Sequence, residues 1–304
     1  MKYLTFTALF ALASAAPTSI QKRAIPAKAG FSVIFADDFT GPAGTFPSDT
    51  NWDCLTGTSY PGGPANWGNN EVQTYRRDYS NLVTTAQQTM SIKAQKLANG
   101  QWTSARIESK RGDFVANGGK KLYIETRVKL GGAAAANQQG IWPAFWSMGT
   151  AFRGNYQNWP FASEWDIVES INGQNTIHSV LHCGVAPGGP CNEFNGLGVG
   201  TAFVRNNWNV VGFQVDRSES GFVGAVKGWK DEEVSWYLNG KKVYSVKGIQ
   251  VGDYNTWVQI AQKPHFLIFN VAVGGNWAGA PNAQTLGGET TGMEIDYVAV
   301  YNSV

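Results

Sequence analysis

Between residues 121 and 130 the chain alternates strictly. Leu122, Ile124, Thr126, Val128 and Leu130 fall on one parity; Tyr123, Glu125, Arg127 and Lys129 fall on the other. A period of two marks a strand with one buried and one solvated face. A helix would repeat its apolar residues every three or four positions. The pattern returns at Val211, Phe213 and Val215. Residues 265–273 are apolar on both parities, as in a central strand covered on both sides. Residues 234–238, Asn239-Gly240 and residues 241–244 form a hairpin signal, because both turn residues accept the positive φ of a type I′ turn. Residues 293–301 close the chain as another strand. No run of a dozen residues has convincing helical periodicity. The alanine run 133–136, bounded by Gly131-Gly132 and Asn137, reads as a loop. With many short strands punctuated by glycine (36 in all), the expectation is an all-β fold: a jelly-roll sandwich of two antiparallel sheets.

The first residues read as processing signals rather than fold. Lys2 precedes an apolar centre at residues 4–12 and the small residues Ala13-Ser14-Ala15, which together form a signal-peptide pattern over 1–15. Residues 16–23 end in Lys22-Arg23, a short pro-segment cut after a dibasic pair. The apolar centre falls short of the roughly 20 residues that span a bilayer. The expected protein is therefore secreted, with one domain over 24–304, since no repeat, linker or charge run divides that stretch. Removing Lys2, Lys22 and Arg23 leaves 21 basic against 22 acidic side chains. Such a balance offers nothing to nucleic acid or an anionic membrane and suits a neutral ligand and a monomer. In an oxidising compartment, Cys183 and Cys191 should pair across the turn-rich Gly-Val-Ala-Pro-Gly-Gly-Pro loop, leaving Cys54 as a small apolar residue.

Against this background, Ser163-Glu-Trp-Asp-Ile-Val-Glu-Ser170 stands out. Three carboxylates sit in an otherwise apolar strand, where like charges repel and lose hydration. Glu164 and Asp166 share a parity. Glu169 does not, but one extra residue at Ile167-Val168, a β-bulge, would return it to their face. Two glutamates converging on one face are what a retaining glycosidase needs: a nucleophile and a proton donor about 5–5.5 Å apart.

Nearby residues suit a sugar. In Gly140-Ile-Trp-Pro-Ala-Phe-Trp146, Trp142 and Trp146 share the face opposite Ile141 and Phe145. They are either sugar-stacking platforms or core residues of a doubly buried strand. His178 and His182 share a face of the following strand. His182 either touches substrate or is a satisfied structural histidine, and a metal pair lacks a third ligand at suitable spacing. Trp67-Gly-Asn-Asn-Glu71 and Thr103-Ser-Ala-Arg106 either read hydroxyls or cap turns. Arg111-Gly-Asp113 reads as a plain turn.

Taken in order, these motifs resemble glycoside hydrolase family 16, and most closely its endo-β-1,3-glucanase (laminarinase) branch of secreted fungal type. The resemblance runs from Phe35-Ala-Asp-Asp-Phe-Thr-Gly41 through the tryptophan and acid motifs to Asn270-Val-Ala-Val-Gly-Gly-Asn-Trp277 and Ile295-Asp-Tyr-Val-Ala-Val-Tyr301. It implies the concanavalin A-like lectin/glucanase fold with a sugar cleft across the concave sheet. It assigns Glu164 as nucleophile, Glu169 as general acid/base and Asp166 as the carboxylate that tunes the nucleophile. The six-residue acid motif is similar to laminarinases; lichenases use a five-residue form. Asn70, Glu71, Arg106, Trp142, Trp146, His182 and Trp277 match positions that line the cleft. Asp38 and Asp296 match the side chains of a structural calcium site, with carbonyls such as that of Gly41 completing the oxygen shell. Three departures are Trp165 between the first two acids, the long insertion 150–162 and the Cys183–Cys191 loop.

The expected activity is therefore hydrolysis of β-1,3-glucan with retention and without a catalytic cofactor. The alternatives are a mixed-linkage β-1,3(4)-glucanase, a galactanase or a cell-wall transglycosylase. A non-catalytic lectin on the same sandwich is disfavoured, because binding a neutral sugar needs no convergent acids.

Overall fold

A computed structural model describes residues 24–218 and 228–304; the signal-peptide and pro-segment readings fall outside them. Among the described residues, two antiparallel sheets face each other. The front sheet has seven strands in the order Leu197–Ala202, Thr176–His182, Glu164–Glu169, Ile141–Gly149, His265–Val273, Arg106–Ser109 and Trp52–Leu55. The back sheet runs Lys241–Lys247, Glu233–Leu238, Asn209–Asp216, Lys121–Leu130, Met293–Ser303, Met90–Ile92 and Leu82–Thr84. Phe31–Asp37 adds to it beside Met293–Ser303. Three short strands form a small third sheet: Gln73–Tyr75, Trp102–Ser104 and Gln95–Lys96. The expected sandwich is what the chain adopts.

Each alternating strand sends one parity into the space between the sheets. Leu122, Ile124, Val128 and Leu130 from the back sheet meet Phe145, Trp165, Ile167 and Phe269 from the front. The expected hairpin forms at Asn239-Gly240, with φ of 49° and 80° at the turn. Residues 265–273 are buried throughout, with neighbours on both sides in the sheet.

The structure also holds a helix at Tyr254–Ala261, where the sequence gave no convincing periodicity. Its residues are mostly β-branched or aromatic, and propensity alone disfavours them in a helix. Two local facts hold it. Asp253 accepts the Thr256 N–H at 2.7 Å as an N-cap, and Trp257 is buried with its indole donating to Glu232 at 2.6 Å. The alanine run holds a single 3₁₀ turn, Ala135–Asn137.

The insertion 150–162 builds a second apolar cluster at one end of the front sheet. Phe152 and Ala162 join Tyr60, Met148, Phe266 and Ile268, and Tyr156 stacks flat on Tyr60 at 4.0 Å. The insertion can return to the sheet because Gly149 has no side chain. A Cβ there would lie 1.8 Å from the Ala162 carbonyl oxygen. Cys183 and Cys191 are joined, with Cα atoms 5.4 Å apart, while Cys54 is free and half-buried. Arg111 and Asp113 pair with each other at 2.7 Å, closing that turn on itself.

Candidate active site

The acidic strand contains the expected bulge. On one side Trp146 stands opposite Asp166 and Phe145 opposite Val168, so Ile167 is the extra residue. On the other side Asp166 pairs with Val180 and Glu169 with His178, with the same irregularity between them. Trp165, Ile167 and Val168 thus enter the core, where Trp165 stacks between Phe213 and His265. Glu164, Asp166 and Glu169 turn to the outer face. Side-chain atoms of Glu164, Asp166 and His182 all lie within 4.8 Å of one another.

Each acid has its own partner. Glu164 accepts the indole N–H of Trp159 at 3.1 Å, and Glu169 accepts that of Trp142 at 2.9 Å. Asp166 lies 3.5 Å from Nε2 of His182, with its Oδ2 buried and without a hydrogen-bond partner. The other ring nitrogen of His182 lies 2.6 Å from Glu193.

These surroundings set the protonation states. Burial, then the charge of Glu164, pushes Glu169 up to about 7. Burial also raises Glu164, but the neighbouring His182 and the Trp159 N–H pull the other way. Asp166 is held well above the usual carboxylate range by burial and by the two glutamates beside it. Burial alone would lower His182; the Glu193 hydrogen bond and the surrounding carboxylates outweigh it and raise the imidazole. Burial thus raises all three carboxyl groups, and Glu169, at about 7, is placed to hold or release a proton near neutral pH.

The residues matched to the cleft fall into three groups. Trp142 and Trp277 meet edge to face at 5.3 Å beside Glu169, and Trp277 is 41% exposed. Asn70 is exposed and donates to Asn276 at 2.8 Å, next to Trp277. Trp146, Glu71 and Arg106 lie deeper. The Trp146 indole donates to Asn270 at 2.7 Å, and Asn270 donates to the Tyr75 hydroxyl at 3.1 Å. Tyr75 in turn donates to Glu71 at 3.2 Å. Arg106 is buried against Glu108 at 2.9 Å, between the rings of Tyr60, Trp67 and Trp146. Glu71 and Arg106 thus brace the aromatic floor rather than point outward. His178 and His182 do not converge: His178 meets the edge of Trp277 at 4.8 Å, and His182 lies against Asp166 and Glu193.

Away from this face, Asp37 stands opposite Val298, which leaves Asp38 and Asp296 at the same end of that strand pair. Asp38 has a buried Oδ2 with no hydrogen-bond partner, an arrangement that suits a cation. Asp296 already pairs with Arg127 at 2.7 Å.

Three contributors escaped sequence reasoning. Trp159, on the insertion, caps Glu164 and stacks on Phe194 at 5.9 Å. Asn270 ties the tryptophan strand to the small third sheet, and Glu193 holds His182. Their only sequence signals were an indole five residues before the first acid and a polar residue within an apolar central strand.

No family model matches the chain. It is 27% identical over 299 residues to glucan endo-1,3-beta-glucosidase A1 of Niallia circulans, covering 91% of this chain and 38% of that protein. It is 28% identical over 272 residues to the clotting factor G alpha subunit of Tachypleus tridentatus, covering 89% of this chain and 34% of that one. The chain therefore spans little more than a third of the length of these two relatives. Among solved structures, the endo-1,3-beta-glucanase from Streptomyces sioyaensis superposes with a TM-score of 0.85 at 37% identity, covering 92% of this chain and 99% of that one. With that identity along almost the whole of the Streptomyces enzyme, and the acid trio on the strand that the resemblance specified, the chain belongs to the laminarinase-type β-glucanase family of glycoside hydrolases.

Proposed function

We propose that this protein is a secreted endo-β-1,3-glucanase of fungal type that hydrolyses laminarin-type glucan with retention. The observation that carries the reading is the pair of glutamates that one bulged strand brings to the same face, each accepting an indole N–H. Burial raises both; His182 opposes the rise at Glu164, while Glu169 is pushed up to about 7. In the first step the Glu164 carboxylate attacks the anomeric carbon as Glu169 gives its proton to the leaving oxygen. In the second, Glu169 takes a proton from water, which displaces Glu164 from the sugar. Asp166, with a carboxylate oxygen within 4.8 Å of one on Glu164, tunes that nucleophile electrostatically. Trp142 and Trp277 supply flat apolar surface for sugar C–H faces beside Glu169. His182 contributes charge beside the acids, and Asn70 lies where a hydroxyl would be read. No organic cofactor is needed for this chemistry. A structural calcium held by Asp38 and Asp296 would act on stability, not on the reaction.

Reducing-sugar release from a panel of β-1,3-, mixed β-1,3/1,4-, galactan and xyloglucan substrates tests the reading. Short oligosaccharides from laminarin are expected. Activity confined to galactan or xyloglucan would overturn the linkage. Equal rates on laminarin and mixed-linkage glucan would instead favour a non-specific β-1,3(4)-glucanase.

A further inference from the structure

Two residues beyond the disulfide-closed loop that follows the histidine strand, Glu193 brings a buried carboxylate to the acid trio. Glu193 is 5% exposed, and both its oxygens are used. Oε1 accepts the backbone N–H of Cys183 at 2.7 Å, and Oε2 lies 2.6 Å from Nδ1 of His182. The loop fixes this carboxylate from both sides. The Cys183–Cys191 bridge closes it, and Gly188 and Glu193 exchange paired backbone hydrogen bonds. On its far side, Nε2 of His182 faces Asp166 at 3.5 Å.

We propose that Glu193 is a positioning residue that holds His182 as an imidazolium against the acid trio, so that the loop sets the protonation states of the reacting carboxyl groups. A buried carboxylate is costly without a charged partner, and His182 is the one cationic side chain described within hydrogen-bonding distance of it. With its proton on Nδ1 directed at Glu193, a second proton on Nε2 would place the positive charge 3.5 Å from Asp166 Oδ2, which is buried with no hydrogen-bond partner. The titratable groups facing His182 are Glu164, Asp166 and Glu169 on the adjacent strand and Glu193 on the loop; Arg106 acts on Glu164 from the other side. Trp159 packs at 5.6 Å, and Gly196 abuts the ring. Of the two cations acting on Glu164, His182 is the stronger, and its charge depends on Glu193. The inference rests on the glycosidase reading for its catalytic consequence and for its kinetic test, but not for its NMR test.

The chain has only three histidines, so their ring protons can be followed individually by NMR during a pH titration, with His182→Gln assigning the signal. In Glu193→Gln, which keeps the side chain's size and the carbonyl that accepts from Cys183, the His182 midpoint should fall by about one pH unit or more. Glu193→Asp keeps the charge and should hold the midpoint close to the wild type. In parallel, the acid limb of kcat/KM on laminari-oligosaccharides should move to higher pH in Glu193→Gln, because losing the His182 cation, the larger influence on Glu164, outweighs losing the Glu193 charge that itself raises Glu164. A His182 midpoint unmoved in Glu193→Gln would overturn the proposal, as would a drop in activity with both limbs in place. If the midpoint falls but the wild type cleaves no glucan, the network stands and the glycosidase reading fails.

Discussion

Two tryptophans each donate one hydrogen bond to one of the two glutamates, which makes the two limbs of the pH profile separately addressable. Trp142→Phe removes the N–H that reaches Glu169 at 2.9 Å while keeping a ring against Trp277. A hydrogen bond to a charged group contributes about 1.5–3 kcal/mol. One pKa unit corresponds to about 1.4 kcal/mol, so the lower end of that range is about one unit. The bond favours the ionised form of Glu169; without it, Glu169, now held at about 7, titrates higher. Glu169 must be protonated for the first step, so activity is lost as pH rises through its pKa. The alkaline limb of kcat/KM on laminari-oligosaccharides should therefore move up by about one pH unit. Trp159→Phe is the mirror experiment. It removes the donor at 3.1 Å from Glu164, whose ionised form is needed, so the acid limb should move up and the alkaline limb should stay. Both variants will also lower the height of the profile, since both rings flank the acids; the limb positions are the readout. An alkaline limb that stays put in Trp142→Phe, or moves down, would refute the assignment of Glu169 as the acid.

Two further outcomes concern stability. Replacing Cys191 by Ser opens a loop with a sequence separation of 8, which in the chain-entropy picture costs about 2–3 kcal/mol; urea denaturation should show a lower midpoint with little change in slope. If Asp38 and Asp296 hold calcium, a chelator should lower the melting temperature, and Asp38→Asn should make the protein insensitive to it; an identical melt with and without chelator in the wild type would dismiss that site.

Much of this site was legible because strands translate sequence parity directly into faces. The strict alternation at 121–130 marks a strand with one face in the core, and the apolar run at 265–273 marks one covered on both faces. The off-parity position of Glu169 demanded a bulge, and Ile167 supplies it. What stayed hidden came from loops. Trp159 and Glu193 reach the acids through backbone paths with no period, held by the second apolar cluster and by the disulfide. Arg106 and Glu71 carried the right residue types for sugar contact, yet they are spent on Glu108, Gln73 and Tyr75 beneath the aromatic floor. The helix at Tyr254–Ala261 was invisible because burial of Trp257, not local propensity, decides it.

The central claim, a double displacement with Glu164 as nucleophile and Glu169 as acid/base, meets its most direct test in Glu169→Ala. An activated aryl β-glucoside of laminaribiose needs no protonation to leave, so the glycosyl–enzyme should still form and then accumulate for lack of a base. Azide needs no base; it should enter the vacated space, displace Glu164 and restore turnover. Proton NMR of the product should show the β-glycosyl azide. An α-glycosyl azide from this variant would mean that the two glutamates exchange roles or that the reaction inverts, and would contradict the account.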